Sequence, residues 1–185
     1  MRKPRQLTPG GTYHVFARIN SREHRLKMRS CKMLFLEVLF ELQAELLFKI
    51  EQFSIMNNHF HLIIKTLDLE LPSIMKRLLM TVAIRYNKRH RRSGHLWGDR
   101  YKSEILWTKL DFERCFNYIS NNPVTAHLVS RPLDWEWSGL AFYKSAFPLM
   151  NTWISDWVHE VYRHALQDDT GAVHKGLTLT FYQNR

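Results

Sequence analysis

Cysteine is nearly absent: Cys31 and Cys115 are the only two in 185 residues. They suggest neither a disulfide framework nor a CxxC metal site. No apolar run approaches the length of a membrane span, and residues 1–6 lack the apolar core of a signal peptide. A cytoplasmic protein with no membrane attachment is therefore expected. Internal repeats and low-complexity segments are missing as well. Acidic residues are scarce, with 17 Asp and Glu against 27 Lys and Arg, a formal net charge of +10. The imbalance is concentrated. Residues 1–32 carry nine cations against one acid, Glu23, and residues 71–98 carry seven against none, leaving the rest of the chain net negative. Such placement points to a polyanion-binding surface; an evenly solvated basic coat would spread its charge.

What is present is an ordinary globular composition, 45% apolar and 24% charged. It is long enough for one domain with a short appendage. The β-rich residues 12–19 follow Gly10 and Gly11 and predict a first strand. Residues 20–29 predict a polar, basic loop. Ser30 is placed to cap a helix over 31–48, with Phe35, Val38, Leu39, Leu42 and Leu46 on one stripe. Residues 49–56 and 59–66 predict an antiparallel hairpin turning at Asn57 and Asn58. Pro72 opens a helix whose stripe of Ile74, Leu78, Val82 and Tyr86 runs to about Arg89. A fourth short strand is expected over 103–107. Thr108 and Asp111 form a capping box that opens a third helix. Pro123 is expected to end that helix at Asn122.

This order fits an α+β, ferredoxin-like (RRM-like) fold: a four-stranded antiparallel sheet with helices on one face. Residues 1–150 are read as the domain and 151–185 as a C-terminal helical extension and tail. Trp135, Trp137, Phe142 and Phe147 are expected to pack back on the core. An amphipathic helix is expected over 153–166, with scope for a further strand over 178–182.

Residues 53–65, Phe-Ser-Ile-Met-Asn-Asn-His-Phe-His-Leu-Ile-Ile-Lys, organise the chemistry. In a strand, His59 and His61 share one face while Phe60 and Leu62 pack on the other. Imidazole is the commonest side-chain metal ligand. Ten histidines give about half a His-x-His per chain by chance, so the pair alone is a weak signal. Tyr118 and Asn122 lie four apart on the third helix, one face presenting a hydroxyl and an amide oxygen. A surface tyrosine followed by a capping asparagine is the equal alternative on spacing alone. The segment 88–102 interleaves cations with Trp97 and Tyr101, as a single-stranded nucleic-acid groove requires. Its candidate DNA contacts are Arg85, Lys88, Arg89, Arg91, Arg92, Trp97, Arg100, Tyr101 and Lys102. Trp97 fits base stacking and core anchoring equally well.

Four segments occur in the order of one known family: Met56-Asn-Asn-His59-Phe-His61-Leu-Ile-Ile, Gly94-His-Leu-Trp97-Gly-Asp-Arg100-Tyr101, Tyr118-Ile-Ser-Asn-Asn122-Pro123-Val-Thr-Ala126, and Trp137-Ser138. The chain resembles the REP-associated tyrosine transposases, relatives of the IS200-type transposases within the HUH single-strand nucleases, over roughly residues 10–145. Three positions depart from the family pattern. Asn57 stands where proline is usual, Thr125 where arginine is usual, and Gly139 where serine is usual.

The resemblance implies that His59, His61 and Asn122 bind a divalent ion, Mg²⁺ or Mn²⁺, and that Tyr118 is the nucleophile. Attack would give a 5′-phosphotyrosine and a free 3′-hydroxyl, so strand transfer needs no ATP. The implied partner is single-stranded or hairpin-forming DNA, bound by a monomer or a homodimer. Two rivals share the fold. A non-catalytic RRM-like binding module would carry exposed aromatics on its sheet in place of histidines. A replication-initiator nickase would use the same chemistry to another end.

Overall fold

A computed structural model describes residues 7–150 and 153–167, without the side chains of 146–150. The expected strand over 178–182 and the packing of Phe147 lie outside the described residues. Gly10 turns the chain at a φ of 66°, where an L side chain is strained, and β1 follows at Thr12–Arg18. After a short 3₁₀ turn at Asn20–Arg22 come α1 (Arg29–Leu46), β2 (Lys49–Ile55), β3 (His59–Lys65) and α2 (Leu71–Arg89). Then β4 (Lys102–Ile105), α3 (Lys109–Thr125), α4 (Gly139–Met150) and α5 (Val158–Gln167) complete the order. The sheet runs β2-β3-β1-β4 with every pairing antiparallel. That is the ferredoxin-like order, with α1 and α2 as the crossovers on one face.

Alternation along β3 divides its side chains. Phe60, Leu62 and Ile64 are fully buried in a core with Phe35, Leu39 and Val82 from α1 and α2. Each such side chain contributes about 1.5–3 kcal/mol on burial. Ile63 faces the other way, into a second core with Phe112, Phe116 and Ile119 of α3 and Val158 and Tyr162 of α5. Helices thus lie on both faces: the crossover helices on one, and α3 with α4 and α5 over β2 and β3 on the other.

Three local expectations are corrected. Ser30 does not cap α1: the helix starts at Arg29, and Met28 holds the cap position in extended backbone with no side-chain bond. That helix ends at Leu46 because Leu47 turns left-handed, φ 51°, and its amide bonds to the Gln43 carbonyl at 3.0 Å. Strand β4 spans Lys102–Ile105, one residue earlier than expected at its start and two at its end. Pro123 does not end α3. The helix runs on to Thr125 with the Pro123 ring buried inside it. The loss of one amide donor near a helix end is tolerable, and bonds from Ala126 N to Asn122 O (3.0 Å) and Leu128 N to Pro123 O (2.9 Å) secure the last turn. Asn122 is therefore helical, so its side chain shares a face with Tyr118.

One cation of the basic N-terminal segment is structural. Lys32 is 2% exposed, and its Nζ donates to Leu26 O (2.7 Å), Lys27 O (3.0 Å) and Asn57 Oδ1 (2.9 Å). Burial lowers its pKa to about 8.

Candidate active site

Strand register lays out the second face of the sheet in rows, because directly paired residues point the same way. One row holds Arg18 and His59; the next holds Lys102, Phe16, His61 and Ser54; the third holds Glu104, His14, Ile63 and Gln52. Above β2, α3 is fastened by Gln52 Nε2 donating to Ser120 Oγ at 3.0 Å. This brings Tyr118 and Asn122 down onto the histidine rows. The Tyr118 ring meets His61 edge-on at 5.4 Å between centroids and His14 at 6.0 Å. His59 Nε2 lies 3.3 Å from Asn122 Oδ1, and the Asn122 amide acts to lower the Tyr118 hydroxyl's pKa. All four residues expected to carry the chemistry therefore converge from two rigid elements.

The hydrogen bonds fix which nitrogens carry lone pairs. His59 Nδ1 lies 2.7 Å from Asn58 Oδ1; the amide oxygen only accepts, so the proton sits on Nδ1. The bare Nε2 then faces another acceptor, Asn122 Oδ1. Two acceptors aimed at one another are what a cation reconciles. His61 Nδ1 lies 2.9 Å from His14 Nε2, so its Nδ1 is engaged too. Holding one imidazole nitrogen to leave the other for metal is the usual second-layer arrangement. Among the described residues no cluster of three His, Cys, Asp or Glu could hold a metal ion. A donor set here needs the Asn122 amide.

Electrostatics keep the rings neutral. Burial lowers His14 to about 3. Burial, with the Arg18 charge behind it, lowers His59 to about 4. Burial, then the neighbouring His14, His59 and Arg18, places His61 well below its ordinary value. Burial raises the Tyr118 hydroxyl, with Cys115 and Glu104 adding to it; Arg18 and the Asn122 hydrogen bond oppose the rise.

The expected DNA contacts divide. Lys88, Arg89, Arg91, Arg92 and Arg100 are exposed around the segment after α2. That segment borders the end of β1, with Gly98 N donating to Arg18 O at 3.0 Å and Asn20 N to Leu96 O at 2.9 Å. Arg85 is exposed and ion-paired, its guanidinium bound by the Glu41 carboxylate of α1 at 3.0 and 2.5 Å. Trp97 is half-buried and Tyr101 buried. Trp97 packs on Phe35 and Phe60, the face away from the histidines, and Nε1 donates to Leu79 O at 2.9 Å. Tyr101 is 8% exposed, in the same core. Both anchor the loop. Lys102, paired with Phe16, lies on the histidine face, its Nζ 5.8 Å from the Phe16 ring centre.

His14, Phe16 and Arg18 were not anticipated. Their signal is the alternation within Tyr-His-Val-Phe-Ala-Arg, which places all three on one face of β1.

A family model described as "Transposase IS200 like" matches residues 8–122. No curated protein matches the chain. Among solved structures, a REP-associated tyrosine transposase bound to a REP hairpin is similar with a TM-score of 0.68 at 16% identity. The match covers 84% of this chain and 91% of that one. A putative transposase from Deinococcus radiodurans gives a TM-score of 0.47 at 19% identity, over 65% of this chain and 97% of that one. No helix among the described residues is long and apolar enough to cross a membrane.

Proposed function

The chain belongs to the family of IS200-like transposases, and from that premise we propose that it cleaves and rejoins single-stranded, hairpin-forming DNA through Tyr118. The observation that carries the reading is the meeting of Tyr118 and Asn122 on α3 with His59 and His61 on β3. The structurally similar transposase is bound to a REP hairpin, and a hairpin is the substrate class proposed here.

His59 Nε2, the Nε2 of His61 and Asn122 Oδ1 would hold a divalent ion, Mg²⁺ or Mn²⁺. When bound, such an ion offsets charge developing on the scissile phosphate. The protein's own groups do the rest. The Tyr118 oxygen attacks phosphorus and loses its proton; the P–O3′ bond breaks, and the 3′-oxygen takes up a proton as it leaves. A phenol of pKa near ~10 is almost wholly protonated at neutral pH, and burial raises Tyr118 further. The Asn122 amide and the Arg18 charge favour the phenolate. The phosphotyrosine retains the phosphodiester's energy, so a second 3′-hydroxyl reverses the step elsewhere. A binding module of RRM type fits this face less well, because it would show a row of exposed aromatics where the middle of this sheet carries buried His14 and His61.

The test is incubation of a library of single-stranded hairpins with Mn²⁺, scoring covalent adducts. Wild-type protein should trap a 5′ DNA end, and Tyr118→Phe should bind hairpins without forming an adduct. Adducts at wild-type yield in that variant overturn the assignment.

A further inference from the structure

The helices on the histidine face roof only half of it. α3, α4 and α5 lie over β2 and β3, burying Gln52, Ser54, His61 and Ile63. Toward the His59 end of β1, and over β4, the same face is less covered: Phe16 is half-buried and Arg18, Lys102 and Glu104 are exposed, while His14 farther along β1 is fully buried. The open half begins where the Tyr118 site ends, since Phe16 is paired with His61 and Arg18 with His59. The Phe16 ring centre is 5.5 Å from that of His61.

This trough has the make-up of a nucleotide site. An aromatic ring beside exposed cations can take a base and its phosphates. Lys102 Nζ lies over the Phe16 ring at 5.8 Å and His14 stacks beside it at 5.3 Å, so a base must displace the exposed Lys102 side chain. Phe16 lies between two cations: Lys102 directly across on β4, Arg18 two residues along on the same face. The Arg18 guanidinium has no hydrogen bond or ion pair among the described residues, unlike Arg85, Arg77 and Arg131, each held by a carboxylate. One acid shares the face, Glu104, a row farther along opposite His14. It confines the positive stretch to the two rows nearest His59. The basic loop after α2 joins the trough at Arg18, through the Gly98 amide.

We propose that this half of the sheet is a nucleotide subsite. Phe16 stacks on the base flanking the cleaved phosphodiester, and Arg18 and Lys102 hold the phosphates around it. The subsite puts an aromatic ring on the histidine face, whereas Trp97 and Tyr101 pack against the core on the other face. It rests on the Tyr118 reading only for which phosphate is cleaved; binding of the strand does not depend on the nucleophile.

The test uses the full chain with Tyr118→Phe as background, chelator present, and fluorescein-labelled oligo(dT) as the probe, read by anisotropy across a salt series. Phe16→Leu keeps an apolar side chain and removes the ring; it should weaken binding by at least about fivefold, the lower end of base–aromatic stacking. Its salt slope should stay unchanged. Phe16→Trp should bind as tightly as the parent or more so. Arg18→Gln should flatten the log–log salt slope by ~0.7, one phosphate contact on a single strand. Ultraviolet cross-linking of the parent to 5-iododeoxyuridine-substituted oligo(dT) should map to the peptide carrying Phe16. A smaller loss in Phe16→Leu, an equal loss in Phe16→Trp, or cross-linking only elsewhere overturns the subsite. Failure of the Tyr118 reading registers separately, as absence of covalent adducts in the active protein while these binding effects persist.

Discussion

His14 makes no contact with a substrate in the scheme above, yet replacing it should impair metal binding. Its Nε2 is 2.9 Å from His61 Nδ1, and both residues are buried, His14 at 0% and His61 at 4% exposure. With His61 presenting Nε2 to a metal, its Nδ1 proton must go to His14, because no water reaches it. His14→Phe keeps a ring of similar size and removes the acceptor. A buried donor left without a partner costs about 1–3 kcal/mol. The His61 ring escapes that penalty by moving its proton to Nε2, which destroys the ligand. Either route lowers affinity for the ion, by about 10–100-fold on the scale of second-layer substitutions. Titration of the metal-free protein with Mn²⁺, followed by calorimetry, measures the loss. His14→Gln supplies an amide oxygen in the ring's place and should recover part of it. Mn²⁺ binding at wild-type affinity in a folded His14→Phe variant would refute the reasoning.

Acid should destabilise the metal-free protein. The folded-state values of His14, about 3, and His59, about 4, lie below the unfolded value near ~6.5, so unfolding takes up protons in that window and stability falls with falling pH. Melting temperatures that stay level from pH 7 to pH 5 would contradict this. Restoring the family's usual residue should harm this chain at two positions. Asn57→Pro removes an acceptor from the buried Lys32 ammonium, costing about 1–3 kcal/mol. Gly139→Ser places a Cβ against Gln52 Oε1 and the Tyr162 hydroxyl, an overpacking cost of about 1–3 kcal/mol; chemical denaturation measures both. Neutralising Arg91 and Arg92 together should flatten the salt dependence of oligonucleotide binding by about 1.4 log–log units. Arg85→Gln should leave it unchanged, because Glu41 already occupies that guanidinium.

The strands and the helix stripes were legible because burial imposes a period on the sequence. His59 and His61 with Phe60 and Leu62 opposite follow from strand alternation alone, and Tyr118 with Asn122 from helical spacing. Features set by particular partners were not legible. Pro123 reads as a stop, yet its ring is buried in α3, an energy that local propensity does not contain. Trp97 and Tyr101 sit among cations in the sequence, but the bridge between Ile19 and Trp97 turns that loop so the tryptophan ring faces Phe35 and Phe60. Lys32 counts as basic surface until its three acceptors are seen. His14 was hidden by distance along the chain: forty-seven residues separate it from His61, and nothing local distinguishes it from an incidental strand histidine.

The departures from the family pattern also acquire causes once partners are known. Gly139 is small because Gln52 and Tyr162 occupy the space a side chain would need. That pair is part of a longer connection. The Tyr162 hydroxyl on α5 donates toward Glu51 O at 2.9 Å and Gln52 Oε1 at 3.0 Å. Gln52 Nε2 in turn donates to Ser120, two residues beyond Tyr118 on α3. With its oxygen held by Tyr162 and the Phe53 amide (2.9 Å), the Gln52 amide cannot rotate without breaking several bonds, so its donor stays aimed at α3. The height of α3 above the histidine rows, and with it the approach of Tyr118 to His61, is thus set partly from α5. The contribution of α5 to the proposed chemistry is therefore the position of α3, the helix that carries Tyr118 and Asn122.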